Sequence, residues 1–215
     1  MTLKLIALVL SCVCLTATIA AQENRPLSPN GTAAAQVMGK YVKPEGRGAP
    51  ALGGASYQGG KWIEITYGRP LKRGRDLWGS GANYGKDALV GTPIWRAGAN
   101  VSTRLKTEVP LVINGKTIAP GEYSLFIDLK ENNWTFVVST WAAATRYDPN
   151  NKEALWGSYF YTPDKDVVRA PMKLETLPHS VEQLTWGFVD MTDIGGAMAI
   201  SWGTTFASVP FRVGS

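Results

Sequence analysis

Leu111-Val112-Ile113-Asn114-Gly115-Lys116-Thr117-Ile118 is the segment that decides the fold. Two short apolar, β-branched runs flank an Asn-Gly pair. Both central residues of a type I′ turn need positive φ, which Asn and Gly tolerate, so the segment reads as a tight hairpin. Working outward, Pro120-Gly121 makes the next turn. Tyr123, Leu125, Ile127 and Leu129 then alternate along a strand, Glu131-Asn132-Asn133 turns the chain, and Trp134 to Ser139 returns. Upstream, Ile63, Ile65 and Tyr67 alternate with Trp62, Glu64 and Thr66, and a further strand starts at Val101. Downstream, Val167 to Leu177 is a strand whose Pro171 places it at an edge or a bulge. Gln183 to Asp190 alternates Leu184, Trp186 and Phe188. Gly195-Gly196 turns the chain into Ala197 to Trp202, and Thr204 to Val213 is the last strand, with Pro210 again marking an edge.

Strands about ten residues apart with turn chemistry between them predict an all-β sandwich or barrel. The expected architecture is a single antiparallel β-sandwich, with a jelly roll as one form of it. No βα alternation is present, which excludes a doubly wound nucleotide-binding fold. The composition agrees: 23 Gly and 13 Pro accompany 8 Trp, 8 Tyr and 6 Phe, with 45% hydrophobic and 18% charged residues in 215. Ala33 to Lys43 fits a strand or a short helix. Pro44 to Gly60, rich in Gly, Ala and Pro, reads as a long loop.

Residues 1–20 read as a secretory signal. Lys4 precedes an apolar stretch from Leu5 to Leu15, and Thr18-Ile19-Ala20 is a small-x-small cleavage site. The expected organisation is signal 1–20, leader and Gly-rich loop 21–60, and sandwich domain 61–215. The expected location is periplasmic or secreted. Both cysteines, Cys12 and Cys14, lie in the signal, so the mature chain is expected to hold no thiol. A lipoprotein reading with Cys12 as lipid acceptor is weakened by Leu10 and by the short apolar run before it. Elsewhere no stretch is apolar over a spanning length. The net charge of +5 is mild and gives no reason to expect nucleic-acid binding.

Several chemistries are missing. There is no G-x-S-x-G elbow and no S-x-x-K pair. The single His, His179, lies in Leu177-Pro178-His179-Ser180 and reads as a turn residue. Zinc lacks ligands, no metal site is expected, and no cofactor is called for. Gly79 to Gly85 lacks the spacing and the Lys-Ser/Thr ending of a phosphate loop. Asp148 to Glu153 offers oxygen ligands to calcium, but not at EF-hand spacing and with Lys152 among them.

Arginines beside aromatics and glycines stand out. Lys72, Arg73 and Arg75 follow Arg69, and Trp95-Arg96-Ala97-Gly98-Ala99-Asn100 comes later. Guanidinium offers paired planar donors to oxyanions, and indole offers a stacking face. The candidate ligand-binding residues are Arg69, Arg75, Trp95, Arg96 and Asn100, and the expected partner is a small anionic or carbohydrate ligand. The competing reading is that these arginines brace loops, with Gly98 supplying positive φ or a close backbone approach. A second functional reading is a hydrolase or isomerase with Asp76, Glu122 or Glu182 as base. Two such carboxylates facing one pocket beside Arg96 would favour it.

Tyr67-Gly68-Arg69-Pro70, Gly74-Arg75 with Trp78-Gly79, Trp95 to Asn100, Ala119 to Phe126, and Glu182-Gln183-Leu184-Thr185 together resemble the bacterial family called domain of unknown function 2911. The resemblance runs from about Ser28 to Val213. It implies an exported, β-rich protein and no assigned activity. The chain carries Gly68 and Ala97 where the family would place hydroxyl residues.

Overall fold

The computed structural model describes residues 27–43 and 56–214. The expected signal and most of the Gly-rich stretch lie outside them.

The chain is mostly strand, arranged largely in antiparallel sheets. The first sheet has six strands. In spatial order they are β1 (Asn30–Val37), β4 (Lys61–Gly68), β5 (Thr103–Thr107), β8 (Gly121–Asp128), β9 (Thr135–Ser139) and β12 (Asp166–Pro171). The second has four: β13 (Lys173–Thr192), β14 (Gly195–Val213), β6 (Leu111–Ile113) and β7 (Lys116–Ile118). Two small ladders complete it, the hairpin β2 (Lys40–Val42) with β3 (Ser56–Gln58) and a two-residue parallel bridge of β10 (Ala142–Ala143) with β11 (Ala154–Leu155).

Both large sheets feed one apolar cluster. Ile63, Ile65, Leu105, Leu125 and Ile127 meet Leu184, Trp186, Met198 and Ile200 there. The alternation read along Lys61 to Tyr67 is the burial pattern of β4. Asn114 (φ 48°) and Gly115 (φ 73°) both sit in the left-handed region, as the Asn-Gly turn requires. Ala33 to Lys43 resolves into strands β1 and β2 rather than a helix.

Several expectations are corrected. Part of the anticipated loop, Ser56–Gln58, is a strand. Tyr57 stacks edge-on against Tyr41 at 4.9 Å, accepts from the Gly39 N–H at 2.7 Å, and donates to Asp193 at 2.8 Å. Those contacts outweigh the local glycine content. The two last predicted strands are one: β14 runs through Gly203, whose left-handed φ of 60° bends it without ending it. His179 lies in β13, exposed, inside a register shift between Thr176 and Val181, not in a free turn. β8 is buried on both faces over Ser124 to Ile127, not on one. A second apolar cluster of Ile94, Phe126, Val137, Trp141, Leu155 and Tyr161 covers its outer side. The irregular segment 140–163 folds back over the first sheet to build that layer.

No helix among the described residues is long and apolar enough to cross a membrane. Gly115→Ala, which forces a Cβ into the left-handed region, is expected to lower stability by roughly 1–2 kcal/mol. Asn114→Gly should be close to neutral. Urea denaturation of both variants beside the parent measures this.

Candidate functional site

The site forms where four sequence motifs converge. Ala97 (φ 52°) and Asn100 (φ 63°) carry the left-handed backbone of the turn after Trp95. Gly98 does not, so its role is close approach: a Cβ there would lie 2.8 Å from Thr103 Oγ1 and 3.2 Å from the Gly68 carbonyl oxygen. Gly68 answers from the other side, since its Cβ would fall 2.0 Å from the Ala99 carbonyl oxygen. A hydroxyl-bearing residue at 68 would therefore require the turn to move. The Ala97 carbonyl accepts from Trp186 Nε1 at 2.9 Å and from Thr103 Oγ1 at 3.2 Å, which ties β13 and β5 to the turn. Trp95 is fixed by a pair of backbone hydrogen bonds with Ile127 at 3.0 and 2.9 Å.

The segment after Arg69 docks on the irregular part of β13. Lys72 N–H donates to the Glu182 carbonyl at 2.7 Å, Leu184 N–H to the Pro70 carbonyl at 2.9 Å, and Gln183 Nε2 to the Arg69 carbonyl at 3.3 Å. Glu182 Oε1 accepts the Arg73 N–H at 2.6 Å. The distant stretches Arg69 to Arg73 and Glu182 to Leu184 thus recognise each other.

Between these parts lies an open pocket of about 310 Å³. Arg75, Trp95, Arg96 and Asn100, four of the five residues proposed from sequence, line it. Arg69 does not. Its stem packs over Gly31, where any Cβ would lie 2.2 Å from Arg69 Cδ, so Arg69 clamps β1 instead. Asp87, Val90 and Trp202 line the pocket and were not anticipated. Asp87 sits on the single-turn helix α1 (Lys86–Leu89), and no sequence signal links that turn to Arg96.

The tryptophans at the pocket are core residues. Trp95 is 2% exposed and Trp202 6%. They pack with Trp78 and Trp134 at centroid separations of 4.6 to 6.3 Å. The Arg75 guanidinium lies 5.4 Å over the Trp202 ring and covers that face. Trp95 is therefore the back wall of the pocket, and its ring belongs to the core.

Arg96 is the unusual group. It is 8% exposed, and Nη1 donates to the Asn100 carbonyl at 2.9 Å. Its guanidinium lies 5.8 Å over the Tyr159 ring, and Gly157 leaves room for it, since a Cβ there would fall 2.7 Å from Nη1. Among the described residues no carboxylate pairs with it. Burial pushes its pKa down, partly opposed by the Tyr159 phenol. A buried charge without a counter-ion is costly. Arg75 spends Nε and Nη2 on the Lys72 and Leu71 carbonyls at 3.0 and 2.6 Å, and Nη1 has no hydrogen-bond partner among the described residues.

The candidate bases do not meet. Asp76 accepts the Trp78 and Gly79 N–H groups at 3.3 and 3.1 Å, Glu122 pairs with Arg104 at 3.0 Å, and Glu182 caps Arg73. Asp87 is the one carboxylate lining the pocket. The Asp148 region is a capped turn: Asp148 and Asn151 accept backbone N–H groups at 2.9 to 3.1 Å.

A family model described as a protein of unknown function, DUF2911, matches residues 53–211, and the chain belongs to that family. No curated protein and no solved structure matches it.

Arg96→Ala is expected to destabilise the fold by roughly 1–3 kcal/mol, because the Asn100 carbonyl and the space beside Gly157 lose their partner. Arg96→Met keeps the stem and drops the buried charge, so it should stay within about 1 kcal/mol of the parent. Guanidinium unfolding of the three proteins separates these effects. Val90, at φ 51°, holds a β-branched residue in the left-handed region. Val90→Asn relieves this and should raise stability by up to about 1 kcal/mol, read as a higher unfolding midpoint.

Proposed function

We propose that this protein is an exported, non-catalytic binding module whose ligand is a small anion held in the Arg75–Arg96–Asn100 pocket. The observation that carries the reading is Arg96: a nearly buried guanidinium that donates to the neutral Asn100 carbonyl, lies against the Tyr159 phenol and has no carboxylate partner among the described residues. An oxyanion beside it would complete the electrostatics that the protein leaves open. Arg75 Nη1 supplies a second cationic donor at the pocket's rim. A neutral sugar fits less well, because the indole faces are packed away and Arg75 occupies the accessible one. The hydrolase or isomerase alternative lacks a second carboxylate in the pocket. We read the two sheets around their common core as a single sandwich. We also infer that residues 1–20 are a signal cut after Ala20, which places the protein in the periplasm or outside the cell.

Thermal unfolding in the presence of monocarboxylates, phosphates and neutral sugars at matched ionic strength tests the function. A specific anion at 100 times its Kd should add about 2.7 kcal/mol. Neutral sugars should add nothing, and Arg75→Gln should shrink the anion's effect. No stabilising anion, or one indifferent to Arg75→Gln and Arg96→Met, would refute the reading. Intact mass of protein from its native host should begin at Ala21 or Gln22, with no lipid on Cys12.

A further inference from the structure

The pocket is not simply cationic. Asp87 faces it from α1, exposed, and makes no hydrogen bond or ion pair among the described residues. Arg75 and Asp87 both line this pocket and the narrow cleft beside it, yet no ion pair joins them. Two guanidinium groups and one carboxylate therefore border a space of about 310 Å³, at the lower end of small-ligand pockets. A ligand with only negative charge would satisfy the arginines and be repelled by Asp87. A ligand with only positive charge would meet the reverse. Only a ligand that carries both signs close together complements all three groups.

Part of the lining is apolar. Ala88 and Val90 follow Asp87 in the chain, and Pro70 and the Trp202 edge complete the wall. Val90 is 53% exposed and strained. Strained residues persist where the surrounding structure over-determines them, and they cluster at ligand sites. Here Val90 closes α1 between Gly85 (φ 72°) and Gly91 (φ 78°), which holds Asp87 and Val90 on the pocket's rim.

We propose that the pocket's ligand is a zwitterion, a free α-amino acid with an aliphatic side chain. Its carboxylate would meet Arg96 and Arg75, its ammonium Asp87, and its side chain the wall of Pro70, Ala88 and Val90. This rests on the anion-binding reading of the same pocket and names its ligand class. Asp87 is then the residue that sets specificity, because a hydroxyl or a hydrogen in place of the ammonium leaves its charge unmatched.

Calorimetric titration of the purified protein with four probes tests this: leucine of either hand, 2-hydroxy-4-methylpentanoate, 4-methylpentanoate and 3-methylbutylamine. At least one hand of leucine should bind about tenfold or more tightly than each of the other three, a difference of about 1.4 kcal/mol. Asp87→Asn should bring leucine down to the level of the hydroxy acid. If the two carboxylates lacking an amine bind as well as leucine, or if Asp87→Asn keeps the preference, the zwitterion proposal fails and the anion reading stands. If no carboxylate probe binds at all, both fail.

Discussion

The Ala97 carbonyl is the point on which the rest of the structure depends. It accepts hydrogen bonds from Trp186 on the four-stranded sheet and Thr103 on the six-stranded one. The turn that presents it is pressed onto Gly68, so closely that neither Gly68 nor Gly98 has room for a Cβ. Both donors are buried, and a buried donor left without its acceptor costs about 1–3 kcal/mol. The position of the turn is therefore coupled to both sheets at once. Trp95 and Arg96 leave this turn with no freedom to choose where they point.

That constraint explains why the site looks like a core with one unfinished corner. Trp95 goes inward, meets Trp78 and Trp134 edge-on and stacks nearly parallel to Trp202, and the cluster excludes water from behind the pocket. Arg96 goes toward the layer formed by 140–163, where the single Ser102 hydroxyl proton is shared between the Gly157 carbonyl at 2.5 Å and the Leu155 carbonyl at 3.1 Å and fixes the strip that covers the guanidinium. The same strip buries the outer face of β8. Low dielectric around Arg96 strengthens any anion it meets and penalises its absence. Other arginines have carboxylate partners: Arg169 bridges Asp128 and Asp166 at 2.7 and 2.8 Å, and Arg104 pairs with Glu122.

Much of this was legible in the chain. Period-two burial in β4 and the Asn114-Gly115 turn follow from local chemistry, because one buried face and one positive-φ pair leave few alternatives. The Trp95 to Asn100 segment stood out for its Arg and glycine content, and four of the five residues named do line one pocket. Arg69 went elsewhere because its destination, the empty side of Gly31, lies 38 positions away and has no local signature. Asp87 and Val90 were missed for the same reason. The second buried face of β8 was invisible too. Phe126 and Ser124 read as a solvent face until residues 140–163 are laid over them, and that segment has no periodicity of its own.

The anion-binding role of the pocket rests on Arg96, a buried positive charge with no carboxylate partner among the described residues. Its most direct test is a crystal of the protein soaked in bromide, with anomalous scattering used to place the ions. An ordered bromide is expected in the pocket between Arg96 and Arg75, lost in crystals of Arg96→Met. Ordered bromide elsewhere on the surface with none beside Arg96 would contradict that role.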